Sequence, residues 1–315
     1  MGVSSSKSQH QGEESVICYK KRASSNLSTR NECIAVLNRQ NGKISCYDPT
    51  VDAWSFLVET RSTTFMRICN LNGNMYLASE NKLLKFSKEK GFVDAASLRH
   101  SPEESHAQVV VFQGHIYLVE NVIMSRFDPD QDTWSENLPG CRFGVPGGFC
   151  VTASVKNIYA FGFAACEFLH PCHVVKIYDP QTNLWCELNL PTPNHTGQVY
   201  GSACPLQNEI YFLGGAFGSA VRTVDCFSIK TNKWINEYDF LKLKLPRHRF
   251  TACIANGKLY AVGGAFSKEN LTDPVQETED SIEVYDSKTK EWTLVTYLEG
   301  ANGYVSACAL PADFC

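Results

Sequence analysis

The stretch Asn256-Gly257-Lys258-Leu259-Tyr260-Ala261-Val262-Gly263-Gly264 is followed by Tyr285-Asp286 and, seven residues after that tyrosine, by Trp292. Asn-Gly ahead of an apolar run is a hairpin signal, because both residues tolerate the positive φ that a tight type I′ turn requires. The same turn recurs as Asn72-Gly73-Asn74-Met75-Tyr76, Gln113-Gly114-His115-Ile116-Tyr117, Lys156-Asn157-Ile158-Tyr159 and Gln207-Asn208-Glu209-Ile210-Tyr211. The aromatic-to-Trp spacing of seven recurs at Tyr47/Trp54, Phe127/Trp134, Tyr178/Trp185 and Phe227/Trp234.

A further degenerate copy fits between these, with Phe86 as the aromatic and Val93 in the Trp slot. The slot positions 54, 93, 134, 185, 234 and 292 then lie 39, 41, 51, 49 and 58 residues apart. Each unit reads as four short strands joined by turns, and no stretch sustains a helical period, so the fold is expected to be all-β. Units of this length with four strands each are propeller blades, here six. The chain ends supply the closure. Cys33-Ile34-Ala35-Val36-Leu37 matches a second strand with no first strand before it. Tyr304-Val305-Ser306-Ala307-Cys308-Ala309-Leu310 matches a first strand with no blade after it, comparable to Ser202-Ala203-Cys204 and Thr251-Ala252-Cys253. The C-terminal segment is expected to complete blade 1 and remove the open edge.

With these marks the sequence resembles kelch-repeat β-propellers. The resemblance rests on Leu213-Gly214-Gly215 and Val262-Gly263-Gly264, on Tyr-Asp-Pro at 47–49 and 178–180, and on the Trp seven residues on. WD-repeat propellers are the rival, but their Gly-His and Trp-Asp pair is not found at that spacing. The double Gly is missing from units 1 to 3, and unit 4 has Gly162-Phe163. The expected organisation is a polar, Ser-rich, disordered tail over 1–31 and the propeller over 32–312.

Composition bounds the function. With 29 Lys+Arg against 33 Asp+Glu, the formal charge of −4 argues against a nucleic-acid partner. No apolar run approaches the roughly 20 residues of a membrane-spanning helix, and Met1–Glu14 is no secretory signal, so a cytoplasmic location is expected, with the nucleus as alternative. In that compartment all 14 cysteines should be thiols. Cys69, Cys204 and Cys253 each lie seven residues before the strand-two tyrosine, Cys308 shares their context, and Cys46 and Cys226 precede the repeat aromatic. Six cysteines at repeat positions in different blades should lie apart and act as small buried hydrophobes. Cys166, His170, Cys172 and His173 could in principle hold zinc, but their spacing matches no common finger, so neither a metal nor any cofactor is expected. Met1-Gly2-Val3-Ser4-Ser5-Ser6 fits the myristoylation pattern, with Gly2 as acceptor and Lys20-Lys21-Arg22 as a second membrane signal.

Propeller loops carry function on a rigid scaffold. The loops between second and third strands share one face with the segments joining successive blades. On that face the former are short in blades 1 to 3 and long in blades 4 to 6, giving a lopsided rim. The expected partner-binding residues are Arg61, Arg99, Arg142, His195, Arg222, Arg247 and Arg249, whose planar guanidinium forks suit an acidic or phosphorylated peptide. Against them, Glu269, Asp273, Glu277, Glu279 and Asp280 form an acidic lip on blade 6. No His-Glu-x-x-His, Gly-x-Ser-x-Gly, Cys-x-x-Cys or phosphate-binding Gly loop occurs, so no catalytic residues are expected and the chain is read as a non-enzymatic interaction module. Similarity to BTB-kelch proteins implies the sharper role of a client-recognition propeller for a cullin-RING ubiquitin ligase. That holds if a BTB region exists in the full-length protein, since nothing before residue 33 could form one. The alternatives are a stand-alone scaffold, membrane-tethered if Gly2 is acylated, and a small-molecule enzyme working in the central channel.

Overall fold

The computed structural model divides into two units, Met1–Arg30 and Asn31–Cys315. It describes residues 31–61, 66–100, 102, 107–144, 148–164, 172–188, 190, 199–217, 219–235, 241–266, 277–278, 280–298 and 304–314, all within the second unit.

Six antiparallel four-stranded sheets make up that unit. Their inner strands are Val305–Pro311, Met66–Leu71, Gln108–Phe112, Cys150–Ala153, Ser202–Leu206 and Thr251–Ala255, for blades 1 to 6 in turn. Each inner strand abuts the next, and blade 6 abuts blade 1, so the six enclose a central channel. The outer strands are Ala53–Glu59, Gly91–Ser97, Thr133–Pro139, Leu184–Leu188, Lys233–Ile235 and Glu291–Tyr297. The architecture is the expected all-β, six-bladed propeller.

Closure follows the sequence reading. Val305–Pro311 pairs along its whole length with Glu32–Asn38, from Glu32 opposite Pro311 to Asn38 opposite Val305. It also ties into blade 2, where the Ile68 amide donates to Ser306 Oγ at 3.1 Å and Asn70 Nδ2 to the Ala309 carbonyl at 2.8 Å.

A propeller has no single core, because each sheet buries both faces against its neighbours. Apolar side chains accordingly form six wedges, one at each blade junction. The repeat aromatic and Trp face each other across the third and outer strands, as Tyr47 with Trp54 and Tyr285 with Trp292, at ring separations of 5.2 and 5.4 Å. Such pairs contribute beyond their buried area. The double Gly has a steric cause in blade 6. Gly264 lies at φ +120, and a Cβ there would come within 2.9 Å of Phe250 Cβ, so the segment joining blades 5 and 6 can pack only against a glycine.

Blade 2 corrects one assignment. Phe86 lies opposite Phe92, with rings 5.4 Å apart, while Val93 pairs with Lys85 and is 38% exposed. The turn is one residue shorter here, since Ser87 pairs with Gly91 where blade 1 pairs Asp48 with Ala53. The Trp slot of blade 2 is therefore filled by Phe92.

The cysteines bring two further corrections. Cys33 is disulfide-bonded rather than a thiol. Among the described residues nine other cysteines are free. The repeat-position cysteines of blades 1, 2, 5 and 6 are also not dispersed. Cys308, Cys69, Cys204 and Cys253 all line the channel, because the inner strands of separate blades converge there. Their packing role stands: burial pushes the Cys69 and Cys253 thiols up to about 12, which leaves them protonated at neutral pH.

Candidate functional site: the arginine-lined channel mouth

In blades 5 and 6 the second-to-third-strand turns meet described residues of the blade-joining segments at one end of the channel. There the turns rise into small ribbons, Ala216–Phe217 with Ser219–Ala220 and Ala265–Phe266 with Glu277–Thr278. These ribbons dock on the blade-joining segments, with Val199 paired to Ala216 and His248 to Ala265. The rim thus stands over blades 5 and 6; the long loop of blade 4 lies mostly outside the described residues.

The channel encloses a cavity of about 770 Å³ whose lining includes Arg39, Arg67, Arg249, Tyr200 and Tyr304. Arg39 stands on the turn after Glu32–Asn38, and its amide donates to the Tyr304 carbonyl at 3.0 Å. Arg67 lies on the inner strand of blade 2. Arg249 is exposed, donates its amide to the Tyr200 carbonyl at 2.8 Å, and stacks its guanidinium over the Tyr200 ring at 4.5 Å, with Tyr304 at 5.9 Å. Cation–π contact of this kind fixes the fork without using its hydrogen-bond donors.

Backbone and charge both mark this mouth as strained. Tyr200 and Arg249 occupy the left-handed region at φ 62 and 55. A non-glycine residue there costs about 1–3 kcal/mol, and such outliers gather at binding sites. Burial pushes the Arg39 guanidinium below its ordinary range, with repulsion from Arg249 adding to the effect. Burial pushes Arg67 well down, and Arg39 adds to it. Guanidinium forks bind carboxylate or phosphate in two-point fashion, and three of them line this one cavity.

The residues expected from the sequence distribute unevenly around this site. Arg249 lines the cavity. Arg61, Arg99, Arg142 and Arg222 are exposed but do not line it. Arg99 Nε lies 4.0 Å from Glu136, and Arg222 donates to the Lys244 carbonyl at 3.3 Å. Arg247 is a correction. It is fully buried, with Nη2 2.6 Å from Glu283 and further bonds to the Gly263 and Ser281 carbonyls, so it holds blade 6 together instead of facing a partner. His195, Cys166, His170 and Gly2 lie outside the described residues, as do the side chains of Cys172 and His173. Among the described residues no group of three or more His, Cys, Asp or Glu is placed to hold a metal ion.

Sequence reasoning missed Arg39 and Arg67 because it searched only the blade-joining loops and ribbons. A signal was present two residues before the channel-lining cysteine. That position is occupied by Arg67, Ser202, Thr251 and Ser306 in blades 2, 5, 6 and 1, and by Gln108 at the equivalent place in blade 3. These form a polar tier above the cysteine tier.

Comparison with known proteins agrees with the propeller fold. The Kelch motif matches residues 246–299. The propeller resembles those of kelch-like proteins. Kelch-like protein 23 of Pongo abelii is 28% identical over 164 residues, which is 52% of this chain and 27% of that relative. Kelch-like protein 40 of Xenopus laevis is 29% identical over 120 residues, 38% of this chain and 19% of the relative. An F-box/kelch-repeat protein of Arabidopsis thaliana is 34% identical over 111 residues, 34% of this chain and 24% of the relative. The matched kelch region thus spans about a fifth to a quarter of these relatives' own lengths. Resemblance to kelch-like propellers supports a protein-interaction fold. Among the described residues no helix is long and apolar enough to cross a membrane.

Proposed function

We propose that the chain recognises a protein client through the channel mouth, with an acidic or phosphorylated side chain of the client seated among Arg39, Arg67 and Arg249. One observation carries this reading: three arginines line a single cavity, and the exposed one is held by aromatic stacking in a left-handed backbone. A guanidinium fork already held by stacking loses little entropy on binding, which favours a specific contact over diffuse attraction.

The relatives' names extend the reading. Kelch repeats occur there in kelch-like and F-box/kelch-repeat proteins. We infer that this propeller, over residues 32–312, is the client-binding part of a ubiquitin-ligase adaptor, with recruitment of a cullin-RING ligase supplied by a BTB region of the full-length protein. The client contact is assigned no catalytic step.

Affinity capture with the intact chain tests the reading. Clients recovered by the wild type should be lost on Arg39→Ala plus Arg249→Ala and retained on Arg61→Ala, which removes an exposed arginine outside the cavity. Equal recovery by both variants would show that the mouth does not bind clients. The ligase role predicts that client ubiquitination in cells falls with the same double variant.

A further inference from the structure

A second cavity lies beside the channel mouth, at the junction of blades 6 and 1. It holds about 100 Å³, room for one aliphatic side chain, and is lined by Val36, Asn38, Lys43, Trp54, Phe56 and Leu298 among others. Trp54 Nε1 reaches Thr296 Oγ1 of blade 6 at 3.5 Å, closing its floor. Val36, Trp54, Phe56 and Leu298 give the cavity an apolar wall, and Phe56 is 61% exposed.

One turn separates this cleft from the arginine mouth. Asn38 lines the cleft, and Arg39 and Gln40 line the channel. The turn is pinned from both sides: the Arg39 amide bonds to the Tyr304 carbonyl, Gly42 N to the Asn38 carbonyl at 2.9 Å, and Thr60 N to the Gly42 carbonyl at 2.9 Å. A client lying across it would meet guanidinium groups on one side and an apolar notch on the other, at a spacing fixed by rigid backbone.

We propose that the blade 6–blade 1 cleft is the second subsite of a two-point recognition surface, taking one large apolar side chain of the same acidic client segment that places its carboxylate or phosphate at the channel mouth. The proposal rests on the mouth being the client site. Charge complementarity favours an acidic occupant over the chain's own N-terminal segment. Residues 1–30 carry Lys7, Lys20, Lys21, Arg22 and Arg30 against Glu13 and Glu14, which is cationic like the mouth itself. The Asn31 and Glu32 end of blade 1 also lies at the other end of the seven-residue strand Glu32–Asn38 from this turn.

Random twelve-residue peptides displayed on phage and selected against the full chain supply the probe. Enriched peptides should pair an Asp or Glu with a large apolar residue at a constant separation. For a synthetic peptide of that sequence, Phe56→Ser should weaken binding about tenfold, as loss of most of one buried apolar contact does. Replacing the peptide's apolar residue by Ala should cost the same, and the two changes together should cost no more than either alone. Phe56 is exposed, so its substitution leaves the fold intact. Peptides enriched in acid alone, sensitive to Arg249→Ala but not to Phe56→Ser, would overturn the cleft and leave the mouth standing. Enriched peptides indifferent to Arg249→Ala, or no enrichment at all, would overturn both. Self-association of the chain that Phe56→Ser abolishes in sedimentation, without peptide, would overturn the cleft by showing that a second copy fills it.

Discussion

Arg247 Nη2 lies 2.6 Å from Glu283 Oε1 with both side chains fully buried. Glu283 also accepts the amides of Lys244 at 2.7 Å and Leu245 at 3.0 Å, and Arg247 donates to Ser281 Oγ at 2.9 Å. The pair therefore fastens the segment entering blade 6 to the third strand of that blade. Removing one member strands the other charge in the interior, which typically costs about 3–5 kcal/mol. Arg247→Met and Glu283→Leu should each lower stability on that scale in chemical denaturation, and the double variant should lose clearly less than the sum. Additive losses would mean that the two groups act independently. Client binding by folded Arg247→Met protein should be near that of the wild type, since the side chain does not reach the cavity.

His248 follows directly and predicts a pH dependence. Its imidazole is fully buried, neither ring nitrogen has a hydrogen-bond partner, and burial with help from Arg249 pushes it from 6.5 down to about 4. The folded state thus holds the neutral ring, while the unfolded chain takes up a proton below the ordinary value. Stability from this group is complete above pH 6.5 and is lost as pH falls toward 4, levelling off below that. The full loss is on the order of 3 kcal/mol. Urea midpoints measured from pH 7.5 to 4 should show this decline, and His248→Phe should flatten it. An unchanged slope in that variant would assign the acid sensitivity to other groups.

The blade count was legible because the aromatic and Trp positions are tied by geometry: they face each other across paired strands, so their spacing must be kept wherever the turn between them keeps its length. Blade 2 breaks that rule by shortening the turn, and spacing alone then points one residue too far. The arginine site was harder to read. Arg247 and Arg249 are two residues apart, as though they should share a side, yet one is buried and the other exposed. The left-handed φ at Arg249 breaks the alternation that a sequence reader must assume. Nor does loop position reveal which side chains turn into the channel. Arg67 does so from within a strand, where a search of loops does not look.

The corrected register of blade 2 can be tested with two substitutions. Phe92 faces Phe86, whose ring also lies 5.7 Å from Phe314. Phe92→Ala should cost about 3 kcal/mol or more, the range for emptying a packed aromatic site. Val93→Ala, at an exposed position, should change the unfolding midpoint little, within about 0.5 kcal/mol. The reverse order of effects would restore Val93 to the Trp slot.

Closure of the ring rests on Val305–Pro311 alone, since that strand is the only inner strand blade 1 has. Without it, Glu32–Asn38 exposes an unpaired edge of mostly buried apolar residues, Cys33 to Leu37, and the junction with blade 2 loses the bonds from Ile68 and Asn70. An open apolar edge of this kind promotes aggregation and removes the last step of a cooperative fold. Truncation after Tyr304 should therefore abolish the single thermal transition seen by near-ultraviolet circular dichroism and shift the protein to the insoluble fraction. Truncation after Pro311, which removes only the short 3-10 turn Ala312–Phe314 and the last residue, should retain the transition at a lower midpoint. A synthetic peptide of residues 305–315 added during refolding should restore solubility to the longer truncation by strand addition, the mode used wherever a peptide completes an open sheet. A truncation at Tyr304 that melts like the intact chain would show that the ring does not depend on this strand.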